Sequence, residues 1–463
     1  MSLAPLARIL TVASIAVVSM MTSASAQSVD GTWWLSPPSH SDSLPDYIIE
    51  MLVDPSQRLA LPPPPAAQAR IPNVHHDDHL PNYQSGFRSQ SVSAITIPPP
   101  PRGQPPAALK GLYANGWLFG SDRLYRLIAL VDTTEINALV IDVKDATGFL
   151  TYRSSVATAE EIGANGLIRT RDPRSRLALL EQHGIHAVAR IVVARDPLLA
   201  RHKPDWAIQD ATTGALWRDG LGEPWVDAFN DSVWIYAADL AAEAVLLGFK
   251  EIQFDYVRFP DEPPSRLNRT VYPARRAGES RRAAIRRNIN LLRNRVNALG
   301  VPFTLDVFGL TTTATGDLGI GQVWDDLSSA ADVILPMVYP SHYRRGSYGI
   351  AHPNAQPYEI VRRALEEAIV RSRRLDRPAR IRPYLQAFTI YRVRYGPEEI
   401  RAQIRAVEDL GLTDWVLWNA RGVYPPAALR PAPLPAGVTG TNGGGDDRVD
   451  PQTIAPPPTP RQD

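Results

Sequence analysis

The chain has 463 residues, 43 of them proline and none cysteine, and its 49 Lys and Arg against 48 Asp and Glu leave a formal net charge of +1. The lack of cysteine excludes disulfides, thiolate nucleophiles and cysteine-ligated metals, so stability must come from a large core. The near-neutral balance gives no overall attraction to nucleic acid, an anionic membrane or an acidic polymer. Length alone would suit about three domains, but the proline-rich ends reduce the folded part to one large domain.

Residues 1–26 read as a secretory signal peptide. Arg8 gives a weakly basic start, 9–21 an apolar run, and Ala24, Ser25 and Ala26 a small-residue cleavage site. The run is too short to span a bilayer and no later stretch approaches the ~20 apolar residues a membrane helix needs. The mature chain is therefore expected to be exported, periplasmic or extracellular, with no membrane span. Residues 27–106 form a proline-rich arm, with uninterrupted runs at 62–65 and 98–101 that favour extended polyproline II over a packed core. His75, His76, Asp77, Asp78 and His79 have metal-ligand side chains. The arm offers no scaffold to fix their geometry, so no metal and no cofactor is assigned.

From residue 111 the texture changes to short apolar runs alternating with longer amphipathic ones. Strands are expected at 111–117, 138–144, 186–193, 251–257, 302–308, 332–339, 381–388 and 414–419. Helices are expected at 122–132, 174–183, 232–247, 279–299, 323–330, 357–371 and 397–410. Gly184, Gly248, Gly300 and Gly411 supply helix stops just before the next strand. Eight strands separated by crossover helices predict an α/β fold, a (β/α)8 TIM barrel over 107–426; a doubly wound open sheet is the alternative. Residues 427–463 read as a disordered Pro/Gly-rich tail. The arginine cluster over 275–295 lies on a helical pattern and reads as a solvated face. The long connections 145–172 and 194–231, the second carrying Trp206, Trp217 and Trp225, should wall the active-site face.

Strand alternation then brings polar residues to one cavity: Asp142 with Lys144, Arg190, Gln253 with Asp255, Asp306, Tyr339 and Gln386, with Trp418 and Asn419 ending the last strand. Asp255 stands out. It ends an apolar strand closed by Pro260, where a carboxylate is either ion-paired scaffolding or tuned for acid–base work. Lys144, Arg190 and Arg258 can compensate the three acids. Paired carboxylates with aromatic walls suit glycosidic bond cleavage, one carboxyl protonated and the other ionised. Trp117, Trp225 and Trp418 offer faces for sugar rings or serve as core. No His-x-His, phosphate loop, Gly-x-Ser-x-Gly elbow or dinucleotide fingerprint occurs in the required context.

The stretches 137–145 (NALVIDVKD), 252–260 (IQFDYVRFP), 336–343 (PMVYPSHY) and 415–419 (WVLWN) resemble the bacterial putative glycosyl hydrolase domain family across roughly 111–424. The resemblance implies a TIM-barrel, glycosidase-like domain. It places Asp142, Asp255, Asp306, Tyr339, His342, Gln386 and Asn419 in recurrent motifs, with Asp255 as the central acid. In the seventh strand, Tyr384 and Ala387 stand where the family pattern is expected to carry tryptophan and aspartate.

The resulting expectation is an exported glycoside hydrolase acting on a carbohydrate polymer or oligosaccharide. Its catalytic residues would be Asp255, Asp306 and Asp142, and its substrate-binding residues Lys144, Arg190, Gln253, Arg258, Tyr339, His342, Gln386, Trp418 and Asn419. The alternatives are a non-catalytic carbohydrate-binding barrel at the cell envelope, which Ala387 favours, and a metal-dependent polysaccharide deacetylase. Neither nucleic-acid binding nor a particular oligomeric state is assigned.

Overall fold

The computed structural model describes residues 105–432, within which strands and helices alternate and close into a barrel. Residues 1–26, read as a signal peptide, nearly all of the proline-rich arm with its histidine cluster, and residues 433–463 lie outside the described residues. The eight barrel strands are Lys110–Ala114, Ala138–Lys144, His186–Val192, Glu251–Asp255, Phe303–Phe308, Val333–Met337, a seventh split into Arg380–Ile381 and Tyr384–Gln386, and Trp415–Trp418. All neighbouring pairs are parallel. The eighth strand lies between the first and the seventh, and the seventh meets the sixth through Tyr384 and Met337, which completes the circle. An open doubly wound sheet would have left two edges, so the (β/α)8 architecture holds.

Crossover helices are Arg123–Thr133, Pro173–Gln182, Asp231–Leu247, Arg281–Asn297, Trp324–Ala330, Pro357–Ser372 and Pro397–Asp409. Local chemistry sets their ends. Asp172, Asn230 and Ser280 accept backbone N–H groups of the first turn as N-caps, and Gly184, Gly300 and Gly411 take left-handed φ of 66°, 74° and 74° just past the C-termini. The arginines of Arg281–Asn297 pair outward, Arg282 with Asp326 at 2.6 Å and Arg295 with Asp239 at 3.1 Å, as a solvated face should. No helix of the described residues is long and apolar enough to cross a membrane.

Most strands are shorter than the sequence suggests, and for three of them the local reason is plain. The first stops at Ala114 because the Asn115 side chain accepts the Leu118 N–H and caps a short helix, Gly116–Phe119. The fourth stops at Asp255 because Tyr256 turns to φ 52°. The seventh breaks at Arg382 and Pro383, a residue with no N–H to give to the ladder. Beyond residue 426, where the tail was expected to begin, Ala428 and Leu429 are buried and the Ala432 N–H donates to the Thr133 carbonyl.

Inside the barrel the inward side chains stack in levels. Val140, Val188, Leu335, Tyr384 and Val416 supply an apolar middle. The floor, at the strands' N-terminal ends, is ionic: Arg382 Nη1 lies 2.5 Å from Glu251 Oε1, His186 Nε2 3.4 Å from Glu251 Oε2, and Arg382 Nε 3.5 Å from Asp414 Oδ2. Burial pushes the Glu251 carboxyl up, but Arg382 and His186 outweigh it and hold its pKa at about 2, below the ordinary 4.5. Because folding depresses this pKa, the stabilisation is complete above about pH 4.5 and is lost as pH falls toward 2. Replacing Glu251 with Ala leaves the buried Arg382 with only its longer contact to Asp414. It is expected to cost roughly 3–5 kcal/mol in urea unfolding at pH 7, with the gap to wild type narrowing as the acid is titrated.

Candidate active site

The top level is built from four consecutive strands, the second to the fifth, which supply Asp142, Arg190, Asp255 and Asp306 from their C-terminal halves. Arg190 is the hub. Its Nη1 donates to Asp142 Oδ1 at 2.6 Å, and its Nη2 and Nε donate to Asp255 Oδ2 at 2.5 and 3.0 Å. Nε also lies 3.9 Å from Asp306 Oδ2. Tyr113 OH donates to the other Asp142 oxygen at 2.5 Å. The Tyr113 and Trp418 rings stack at 3.8 Å, and the guanidinium carbon of Arg190 sits 5.6 and 5.1 Å from them. Gln253 Nε2 reaches both Asp306 Oδ2 at 2.8 Å and Tyr384 OH at 2.7 Å.

Electrostatics separate the acids. Burial raises the Asp142 carboxyl, and Arg190 and Tyr113 only partly pull it back. Burial and then the neighbouring Asp255 charge, with which it shares a hydrogen bond, drive Asp306 well above the ordinary carboxylate range. Asp306 thus keeps a proton where an ordinary carboxyl has lost it, while Asp255 faces a guanidinium as its counter-ion. Two touching carboxyls with one proton between them are a standard outcome of like-charge repulsion in a dry site.

The backbone beside Asp255 is unusual. Tyr256 is left-handed, a conformation costing a bulky residue roughly 1–2 kcal/mol. The turn lets Asp255 Oδ1 accept the Tyr256 N–H at 2.5 Å, and the Val193 and Ala194 N–H groups bond the Asp255 and Tyr256 carbonyls. Strain of this kind is held by the surrounding packing, here the Trp225 ring at 5.8 Å from Tyr256.

The remaining predicted residues disperse. The ladder slips between Asp142 and Lys144, so Lys144 leaves the acidic cluster and bonds the buried Asp196 Oδ2 at 2.6 Å. Arg258 packs over three aromatic rings, not against the acids, which leaves their compensation to Arg190 alone. Gln386 accepts the Ser341 N–H at 3.1 Å and donates to the Phe388 carbonyl and to Asn354, so its amide is spent on holding loops. Asn419 does the same with the Ala387 and Val423 carbonyls. Tyr339 lies 5.2 Å from the His342 ring and 5.7 Å from Phe388, on the flank of the sixth and seventh strands. Of the tryptophans, Trp117 is 47% exposed beneath Arg169, whereas Trp217 and Trp225 are buried wall packing. Sequence reading missed Tyr113, which lies within the expected first strand and alternates inward from Gly111, and Asp196 as the partner of Lys144. A recess of about 270 Å3 lined by Trp217, Arg218, Arg266 and Arg269 lies apart from the acids.

Among the described residues no group of three or more His, Asp or Glu side chains is placed to hold a metal, the ligand set a metal-dependent deacetylase would need.

Residues 111–424 match the family described as "Putative glycosyl hydrolase domain". The chain belongs to this family. The match for the glycosyl hydrolase-like domain spans all eight strands and the acidic cluster. Among curated proteins none matches. Among solved structures, a hypothetical protein from Ruminiclostridium thermocellum ATCC 27405 is 34% identical over 40% of this chain and 92% of that one, with a TM-score of 0.36. The spore cortex-lytic enzyme SleL of Bacillus megaterium QM B1551 is 10% identical over 69% of this chain and 72% of its own, TM-score 0.41. An alpha-galactosidase from Thermus thermophilus is 18% identical over 71% and 61%, TM-score 0.41.

If the Asp255 charge helps hold the Asp306 proton, Asp255→Asn will lower the Asp306 pKa. Carbon-13 NMR of protein labelled at aspartate carboxyls should show its titration moving to lower pH; an unmoved titration would assign the shift to burial alone.

Proposed function

We propose that this domain is a glycoside hydrolase acting on a polysaccharide or oligosaccharide, with Asp255 as nucleophile or base and Asp306 as the proton-bearing acid. The observation that carries the reading is the pair of adjacent carboxyls, one facing Arg190 and the other pushed to hold its proton, at the C-terminal end of a barrel. Glycosidic cleavage needs that division: the acid gives its proton to the leaving oxygen, while the carboxylate attacks the anomeric carbon or takes a proton from the attacking water. Contact between the two groups is closer than the ~5 Å or more that lets a linkage sit between facing acids. A seated sugar therefore turns the Asp306 proton from Asp255 to the leaving oxygen. Asp142 and Tyr113 act through Arg190, fixing the fork that orients Asp255. The leader-like residues 1–26, with the proline-rich residues 27–106, belong to the same proposal, an exported enzyme.

A second reading, a carbohydrate-binding barrel without turnover, draws support from Ala387 and from the depth of the acids, Asp255 being 5% and Asp306 1% exposed. Release of reducing ends from a panel of polysaccharides separates the two. The hydrolase predicts activity that falls about 10²- to 10⁴-fold in Asp255→Asn, with circular dichroism unchanged. It also predicts a rate that declines as pH rises through the elevated Asp306 pKa, since the working form is protonated, and loss of that limb in Asp306→Asn. Saturable sugar binding with no released ends in wild type would establish the binding barrel instead.

A further inference from the structure

Arg258 sits three residues past Asp255 and is only 6% exposed, yet among the described residues it pairs with no carboxylate. Its one hydrogen bond runs from Nη1 to the Phe259 carbonyl at 3.2 Å. The guanidinium carbon is instead enclosed by aromatic faces, 4.5 Å from Phe308, 4.6 Å from Tyr256 and 5.2 Å from Trp225. Rings attract a cation through their quadrupole but cannot satisfy its N–H groups, so donor capacity is left over. The buried cations nearby are treated differently: Arg190 is bonded to two aspartates and Lys144 to Asp196.

Position makes this unmatched charge relevant to substrate. Phe308 ends the fifth strand two residues beyond Asp306, so alternation puts its ring on the same inward side, one step nearer the mouth. A guanidinium resting on that ring therefore lies toward the mouth, on the side of the fifth strand that carries Asp306. The left-handed turn at Tyr256 is what brings it there, since unbroken alternation from Asp255 would have sent residue 258 outward.

The geometry points to Arg258 as the recognition group for an oxyanion on the substrate, so that the sugar bound beside Asp255 and Asp306 carries a carboxylate, as a uronic acid does, or a sulfate ester. The inference rests on the proposed carbohydrate function and narrows its substrate class. Planar guanidinium forks match such oxyanions with two parallel hydrogen bonds. A chain of net charge +1 has no general attraction for polyanions, so selectivity would come from this one contact.

The experiment compares oligogalacturonate, alginate and hyaluronan oligosaccharides with their carboxyl-reduced neutral counterparts, and sulfated with desulfated galactan oligosaccharides, by calorimetric titration and reducing-end release on the full mature chain. The expected result is roughly 10- to 100-fold tighter binding of one anionic member than of its neutral twin, weakening with added salt. That preference should be lost in Arg258→Gln and partly kept in Arg258→Lys, with thermal melting reporting whether each variant folds. The wild-type comparison and its salt dependence stand even if both variants fail to fold. Equal binding or cleavage of charged and neutral twins overturns the anion site and leaves the hydrolase reading intact. Charge-dependent binding without released ends supports the anion site and overturns the hydrolase. Binding of no member overturns the anion site.

Discussion

One guanidinium organises the working end of this barrel. Arg190 projects from the third strand into a space where three carboxyl groups converge, and it bonds two of them. Removing any partner would leave a charge in a dry interior, a far larger loss than the net gain from forming the contact. The arrangement is thus held by mutual necessity. It also fixes which acid keeps the proton: Asp255 takes two of the N–H donors, and Asp306, with Gln253 as its main neutral donor, is the group that stays protonated.

The same barrel uses buried charge differently at its two ends. In the floor, Glu251 is matched so well by Arg382 and His186 that its acidity rises, the signature of an ionic plug. At the mouth, three acids converge on one bonded cation, and burial, with a smaller contribution from neighbouring negative charge, raises the carboxyl pKa values of Asp142 and Asp306. Satisfied pairs of this kind build scaffolding, whereas unbalanced buried charge perturbs protonation. The strained Tyr256, adjoining the most exposed of the three acids, falls at the unbalanced end.

Strand-and-helix order was legible because each strand is a continuous apolar run and each helix carries its own stop, so Ala138–Lys144 is placed to the residue. The acidic cluster was legible because Asp142, Asp255 and Asp306 interrupt such runs at equivalent depths. What escaped was anything set by a local break in alternation. A slipped ladder removes Lys144, a left-handed residue redirects Arg258, and a capping asparagine shortens the first strand. Gln386 and Asn419 look like site residues because they are polar at strand ends, but their amides are consumed by neighbouring carbonyls and N–H groups, a fact only three dimensions supply.

The broken seventh strand bears on how the cylinder behaves as a container. Between Ile381 and Tyr384 the wall is carried by Arg382 and Pro383, and a single register pair, Tyr384 with Met337, joins this strand's upper half to the sixth. Across the circle, the second and third strands pair from Ala138 to Lys144 with one slip near the top. Stiffness is therefore lopsided. The rim is rigid where the acids are mounted and compliant beside Tyr339 and Phe388, so any widening of the opening falls to the side away from the acidic cluster.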